Sequence, residues 1–293
     1  MSKFFHSPDW GNVLEQGFGA RTVIMPGETP TQFALFHAGP FCLAYAEFPI
    51  GLSDSKIILQ MKAPATHLFL KKRGVHALRF TANVDDRQDN TGNVILPETV
   101  IENLSEWKEE ALESDVRYKN RRARREGLIT RPATAADAGT IFTQYSGTVA
   151  HHGGAQRYTK AYFDALVAFS ERDPRVFMHV GETPHGKVCG FIAVAHDGIT
   201  SYYLHGGFDR HYASLRPGYG LMTEAIINAR DHGAMRFNLM ASPADQPALV
   251  KFKEKWGGVT SMKGTRTIAF GAAGRILLTG MRTVAALRDL IRG

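Results

Sequence analysis

Three stretches carry side chains whose types and spacing point to chemistry. In LVKFKEKWGG, Leu249–Gly258, three lysines (Lys251, Lys253, Lys255) alternate with Phe252 and Trp256. By itself this reads as an amphipathic helix with a cationic face. In Arg216-Pro217-Gly218-Tyr219-Gly220, glycines stand at the start of a helix. Amides at a helix start are free to face an anion and the helix dipole adds to the attraction, as an acyl-group site requires. From Arg117 to Arg125, six residues in nine are basic: Arg117, Lys119, Arg121, Arg122, Arg124 and Arg125. Arg117, Arg121, Arg124 and Arg125 recur at helical spacing, so one face is strongly positive and able to neutralise several phosphates.

The elements that must position these groups follow from periodicity and turn residues. Val188–Ala195 and Ser201–Gly207 read as strands joined by the hairpin turn His196-Asp197-Gly198. A helix runs from the Gly-rich turn to about Gly233, followed by the strand Met235–Met240 and the lysine-bearing helix. Upstream, Ser7-Pro8 opens a helix. Arg21–Met25, Gln32–His37, Phe41–Phe48 and His76–Ala82 read as strands, Ala63–Gly74 as a helix and Asp85–Gly92 as a polar loop. Asn103–Gly127 reads as one long helix, acidic first and basic last, with Gly127 as its cap. Helices over Thr134–Tyr145 and Arg157–Ser170, strands over Val176–Gly181 and Thr265–Phe270, and an amphipathic basic helix over Arg275–Arg292 complete the pattern.

The chain has 293 residues, which exceeds one ordinary core and suits two domains of about 120–150 residues. We expect residues 1–128 to form one half, ending in the basic helix, and residues 129–293 a second half bearing the transfer site. Apolar residues make up 44%, so a packed core is expected, and no run of about 18 apolar residues suggests a membrane span. Met1–His6 is too short and polar for a signal peptide. Cys42 and Cys189 sit in apolar runs and read as buried thiols of a cytoplasmic protein. A net charge of +7 favours a polyanionic partner, nucleic acid first. No helical H-x-x-x-H pair, G-x-S-x-G elbow or Walker loop occurs, and two cysteines cannot close a zinc site, so no metal is expected.

The block from Tyr203-Leu204-His205-Gly206-Gly207, through the helix 219–233 ending Asp231-His232-Gly233, to Phe252-Lys253 and Trp256-Gly257-Gly258 resembles the GNAT acyltransferase core. More closely it resembles the Fem branch, the FemABX aminoacyl-tRNA-dependent transferases. Arg117-Tyr118, Arg121-Arg122-Ala123 and Gly127 match a basic pattern of that branch; Trp10 after Ser7-Pro8 and the segment Tyr45–Gly51 match loosely. The likeness spans most of residues 5–260. It implies an α/β (α+β) fold of two GNAT-like halves with mixed sheets flanked by helices. It implies peptide-bond formation between an amino acid carried by tRNA, the co-substrate in place of a cofactor, and a small-molecule or peptide amine.

By the same resemblance Lys253 meets the developing oxyanion and Phe252 packs against the terminal adenine or shapes the channel. Trp10, Tyr45, Glu47, His151, Tyr203 and His205 are implied substrate contacts. Arg117, Arg121, Arg122, Arg124, Arg125 and Lys255 are implied tRNA contacts. The glycines of Arg216–Gly220 lie one place closer to the arginine than in the coenzyme A loop Arg-x-x-Gly-x-Gly, which fits a tRNA-borne acyl group. Cell-wall members carry a basic residue shortly after the tryptophan and an arginine near position 151; here Gly11-Asn12-Val13-Leu14-Glu15 and His151-His152 stand there. A smaller amine than the nucleotide-linked cell-wall precursor is therefore expected. The proton acceptor stays open among Glu47, His151 and His205, and His205 also reads as a structural histidine. Two other classes remain: an N-acyltransferase using acyl-CoA or acyl carrier protein, and a basic RNA-binding module.

Overall fold

A computed structural model describes residues 4–27, 30–49, 55–83, 94–154 and 156–292. In chain order the elements are α1 (Pro8–Phe18), β1 (Arg21–Met25), β2 (Thr31–Ala38), β3 (Phe41–Ala46), α2 (Ser55–Lys62), α3 (Pro64–Lys71), β4 (Ala77–Asn83) and β5 (Val94–Ile101). Then come α4 (Ser114–Arg125), β6 (Ile129–Pro132), α5 (Ala138–His151), α6 (Lys160–Ser170), β7 (Val176–Glu182), β8 (Val188–Asp197) and β9 (Thr200–Phe208). The series ends with α7 (Pro217–Asp231), β10 (Arg236–Ala241), α8 (Pro247–Glu254), β11 (Val259–Ala269) and α9 (Gly271–Arg292). The expected loop Asp85–Gly92 lies outside the described residues. No described helix is long and apolar enough to cross a membrane.

The chain divides into two compact units. One comprises Phe5–Glu15, Gly19–Leu96 and Met262–Gly293. Its strand order is β1-β2-β3-β4-β11, antiparallel except for the parallel pair β3–β4. Ser7 caps α1, its hydroxyl accepting from the amide of Trp10 (3.2 Å), as the Ser-Pro entry predicts. Phe33, Leu35, Cys42, Ala44, Leu70, Leu78 and Phe80 form the core.

The other unit comprises Met1–Phe4, Gln16–Phe18 and Pro97–Ser261. Its strand order is β5-β10-β9-β8-β7-β6, antiparallel except for β10–β9. Its largest core joins Val116 of α4, Leu221, Met222, Ala225, Ile226 and Ala229 of α7, and Phe237, Leu239 and Trp256. Both units are thus mixed sheets flanked by helices, the expected α/β class. Cys42 and Cys189 are buried free thiols, and burial raises the pKa of both.

One expected element is corrected. Asn103–Gly127 is not one helix: single 3-10 turns at Leu104–Glu106 and Glu109–Ala111 precede α4, which starts at Ser114. Leu104, Trp107 and Leu112 all belong to the core. Trp107 also donates from Nε1 to the carbonyl of Trp256 at 3.0 Å. Trp107, Lys108 and Leu112 all take extended backbone, which interrupts the helical run before α4. Three elements are additions, among them the four-residue strand β6. Strand β5 contains Pro97, which argues against a central strand, and the amide of Ser242 donates to the Pro97 carbonyl (2.8 Å). Helix α2 lies in a stretch without clear periodicity.

Candidate acyl-transfer site

The second unit contains a local departure from sheet regularity. β10 runs parallel to β9 through three paired positions only, Arg236–Asn238 against Thr200–Tyr202. Beyond them β9 continues to Phe208 on β8 alone, and β10 ends at Ala241. Both strands are irregular where they part: β9 shifts register against β8 between Tyr203 and His205, and β10 shifts against β5 between Asn238 and Ala241. Met240 takes a left-handed backbone (φ 64°), unusual for a side chain of its size. Asn238 supports it, its Oδ1 accepting from the Met240 amide at 2.7 Å.

Lys253 is anchored at this irregularity. Pro247 occupies the first turn of α8, where a missing N–H does no harm, and the helix carries Lys253 inward to 4% exposure. Its Nζ donates to the carbonyls of Met240 (2.8 Å) and Ala241 (3.2 Å). Burial lowers its pKa to about 8, against the opposing pull of Glu98. At neutral pH the side chain is a buried cation. An ammonium has three N–H donors, and two face these carbonyls.

An aromatic group flanks the lysine along α7 and α8. Tyr219 stands edge-on to Phe252 (centroids 5.7 Å) and 5.8 Å from Trp256. Lys119 lies 4.9 Å above the Tyr219 ring and donates to its hydroxyl at 3.1 Å. Tyr203 packs on the same core, and burial raises its hydroxyl to about 12, so it stays protonated. Sequence reasoning placed Phe252, Lys253 and Tyr203 here; Asn238 and Met240 were missed, because nothing in MRFNLM marks a left-handed methionine.

His205 projects into an aromatic cage of Tyr145, Tyr158, Tyr162 and Phe163, sharing a 3.0 Å hydrogen bond with Tyr162 Oη. Burial lowers it to about 3, so it is a neutral structural histidine and a poor base. His151 is exposed at the end of α5, edge-on to His152. Trp10, Tyr45 and Glu47 belong to the other unit. There Trp10 is fully buried and donates to the Phe48 carbonyl (2.8 Å), Tyr45 is half-buried against Phe48, and Glu47 pairs with His6 in the interior.

On α4, Arg121, Arg124 and Arg125 are exposed, Arg122 is half-buried and Arg117 has a buried, unpartnered Nε. Acidic neighbours answer part of this charge: Glu109 pairs with Arg124 and Glu126 with Arg122 (3.6 Å) and Arg125 (3.5 Å). Lys255 pairs with Asp115 (3.2 Å) and Glu113 (3.5 Å). Exposed pairs of this kind are weak and open to exchange for phosphate.

The glycines of the Arg216–Gly220 turn do not build the expected cradle. A Cβ on Gly220 would lie 2.4 Å from Leu128 Cδ2 and 3.6 Å from Ala123, so this glycine permits the close approach of α7 to α4. Pro217 has no N–H, and the amides of Tyr219 and Gly220 donate to the Arg216 carbonyl (3.0 and 3.3 Å). Gly218 alone offers an uncommitted amide in that turn.

Residues 111–253 match the acetyltransferase (GNAT) domain family. Among solved structures the chain is similar to FemX, at 14% identity and a TM-score of 0.64, with 87% of this chain and 90% of that one covered. It is similar to the C-terminal domain of a putative lysylphosphatidylglycerol synthetase from Agrobacterium fabrum (14% identity, TM-score 0.57, 94% and 91% covered). It is also similar to L-PGS from Bacillus licheniformis (12% identity, TM-score 0.59, 99% and 98% covered). No curated protein matches the chain. The fold is therefore the GNAT fold, arranged as in FemX.

The buried lysine sets a stability test. Lys253 titrates near 10.5 unfolded and near 8 folded, so between those values the native state holds fewer protons. Stability therefore rises with pH through this window, and the penalty for burying the charge is complete below about pH 8. Denaturant unfolding from pH 7.5 to 10.5 should show the wild type gaining about 3 kcal/mol relative to Lys253→Met. Parallel pH dependence of the two proteins would mean that Lys253 is not a buried cation.

Proposed function

We propose that the protein transfers an amino acid from aminoacyl-tRNA to the amine of a small molecule or peptide. The observation that carries this reading is the buried ammonium of Lys253 at the point where β9 and β10 part, in a FemABX-like GNAT fold. The tRNA ester is already activated, so the site supplies position and positive charge in place of a nucleophile. The acceptor nitrogen, unprotonated, attacks the ester carbonyl carbon. The C–N bond forms as the carbonyl electrons move to oxygen, and the third N–H of Lys253 meets that oxyanion. Collapse of the intermediate breaks the C–O bond to the ribose, and the leaving hydroxyl takes the proton that nitrogen loses. Phe252 and Tyr219, both partly exposed, supply faces on which the terminal adenine stacks, and the exposed arginines of α4 hold phosphates.

The acetyltransferase-domain match keeps a thioester donor as the second reading. Against it stands the α7 start, where one free amide is a poor diphosphate cradle. Purified protein offered mixed labelled aminoacyl-tRNA, or labelled acetyl-CoA, with a panel of free amines should form labelled amide from the tRNA donor only. Amide formed only from acetyl-CoA would sink the proposal. Lys253→Met should lower turnover about 100-fold or more with tRNA binding intact. Lys253→Arg should extend activity above pH 8, where the wild type loses its charge; activity indifferent to both changes removes Lys253 from the site.

The tRNA surface has its own test. Replacing Arg121, Arg124 and Arg125 by Gln should weaken tRNA binding and reduce the slope of log affinity against log salt by about 2–3. An unchanged slope would move the binding face off α4.

A further inference from the structure

A cavity of about 370 Å³ lies against α5, lined on that helix by Thr140, Thr143, Gln144, Gly147, Thr148 and His151 and just past its end by His152. Across from them stand Val188, Phe208, Asp209 and Arg210, all in the same compact unit. The α5 positions through His151 follow helical spacing and form one polar stripe where a helix against a sheet ordinarily presents apolar residues. The volume suits a small ligand.

The chemistry of the wall is one-sided. Thr143 donates its hydroxyl proton to the Gly139 carbonyl (3.0 Å) and Thr148 donates to that of Gln144 (2.8 Å), which leaves both oxygens as acceptors. Gln144 is 6% exposed; its Nε2 donates to the Val188 carbonyl at 3.1 Å, while its buried Oε1 has no partner. A buried acceptor without a donor is rare in a finished structure and marks a place for one. Asp209 adds a carboxylate, of which Oδ1 accepts from the His211 amide (2.9 Å). The permanent cation of the lining is Arg210. Burial, His151 and Arg210 together lower the His152 pKa, so that ring is neutral at pH 7. A diphosphate would meet one guanidinium, one carboxylate and a row of acceptors, a poor match. A molecule carrying an ammonium and a carboxylate matches Asp209 and the acceptor row at one end and Arg210 at the other.

We propose that this cavity binds a free amine of amino-acid or dipeptide size, with Gln144 as a specificity-determining residue. That the bound molecule is the acceptor rests on the transfer reading above; that it binds does not. Calorimetric titration of the full chain with the twenty free amino acids, with Gly-Gly and Ala-Ala, and with their N-acetylated forms tests this. At least one free amine binds saturably, and its N-acetylated form binds at least tenfold more weakly. Gln144→Leu and Gln144→Met, which each remove the acceptor, weaken binding about tenfold. Should Gln144→Leu fail to fold, Gln144→Met carries the test alone. No binding in the set, equal binding of the acetylated form, or no response to either substitution overturns the proposal. Binding with this profile but no transfer from tRNA overturns the acceptor role and leaves the site standing. Transfer with an unchanged amine KM in a folded Gln144→Leu protein overturns the site and leaves transfer standing.

Discussion

The contact on which the site depends is the clasp between Lys253 and the last turn of backbone in β10. A cation held at 4% exposure loses most of its hydration, and here two carbonyls replace part of it. The same clasp holds Met240 in a conformation that its side chain disfavours. Lysine and irregular strand therefore sustain one another: the bulge turns two carbonyls toward α8, and α8 returns a charge that keeps them turned.

The surrounding architecture follows from keeping that clasp in place. Trp256 and Phe252 flank Lys253 on the same stretch, and Tyr219 of α7 meets both. Trp107 ties the approach to α4 to the Trp256 carbonyl. Gly220 lets α7 come close to Leu128 and Ala123, which brings Lys119 over Tyr219. The basic helix is thus tied to the aromatic group beside the buried lysine.

Much of this was legible in the chain. The Asp197-Gly198 turn, the Ser7-Pro8 entry and the alternation of Phe252, Lys253 and Trp256 announce their elements through local rules of capping, turn chemistry and periodicity. Lys253 stood out only because a Phe-Lys pair after the Gly-rich helix resembled a known family. What local rules missed is tertiary. Gly220 reads as an anion loop until Leu128, ninety-two positions earlier, is seen to occupy the space of its missing Cβ. His205 reads as a possible base until four aromatic rings enclose it. The helix expected over Asn103–Gly127 is interrupted by extended backbone at Trp107, Lys108 and Leu112, around side chains that join a core assembled from distant segments. The polar stripe of α5 escaped the sequence reading, and its significance needs the facing Asp209 and Arg210.

In the proposed reaction the positive charge of Lys253 meets the carbonyl oxygen of a tRNA-borne amino acid. A crystal structure of the protein with an RNA minihelix carrying an amide-linked amino acid in place of the ester tests it directly. The amide oxygen is expected within hydrogen-bond distance of Lys253 Nζ, with the terminal adenine against Phe252 or Tyr219. An amide oxygen held elsewhere, with Lys253 still bound only to the carbonyls of Met240 and Ala241, would contradict it and leave the lysine as a clasp of the fold alone.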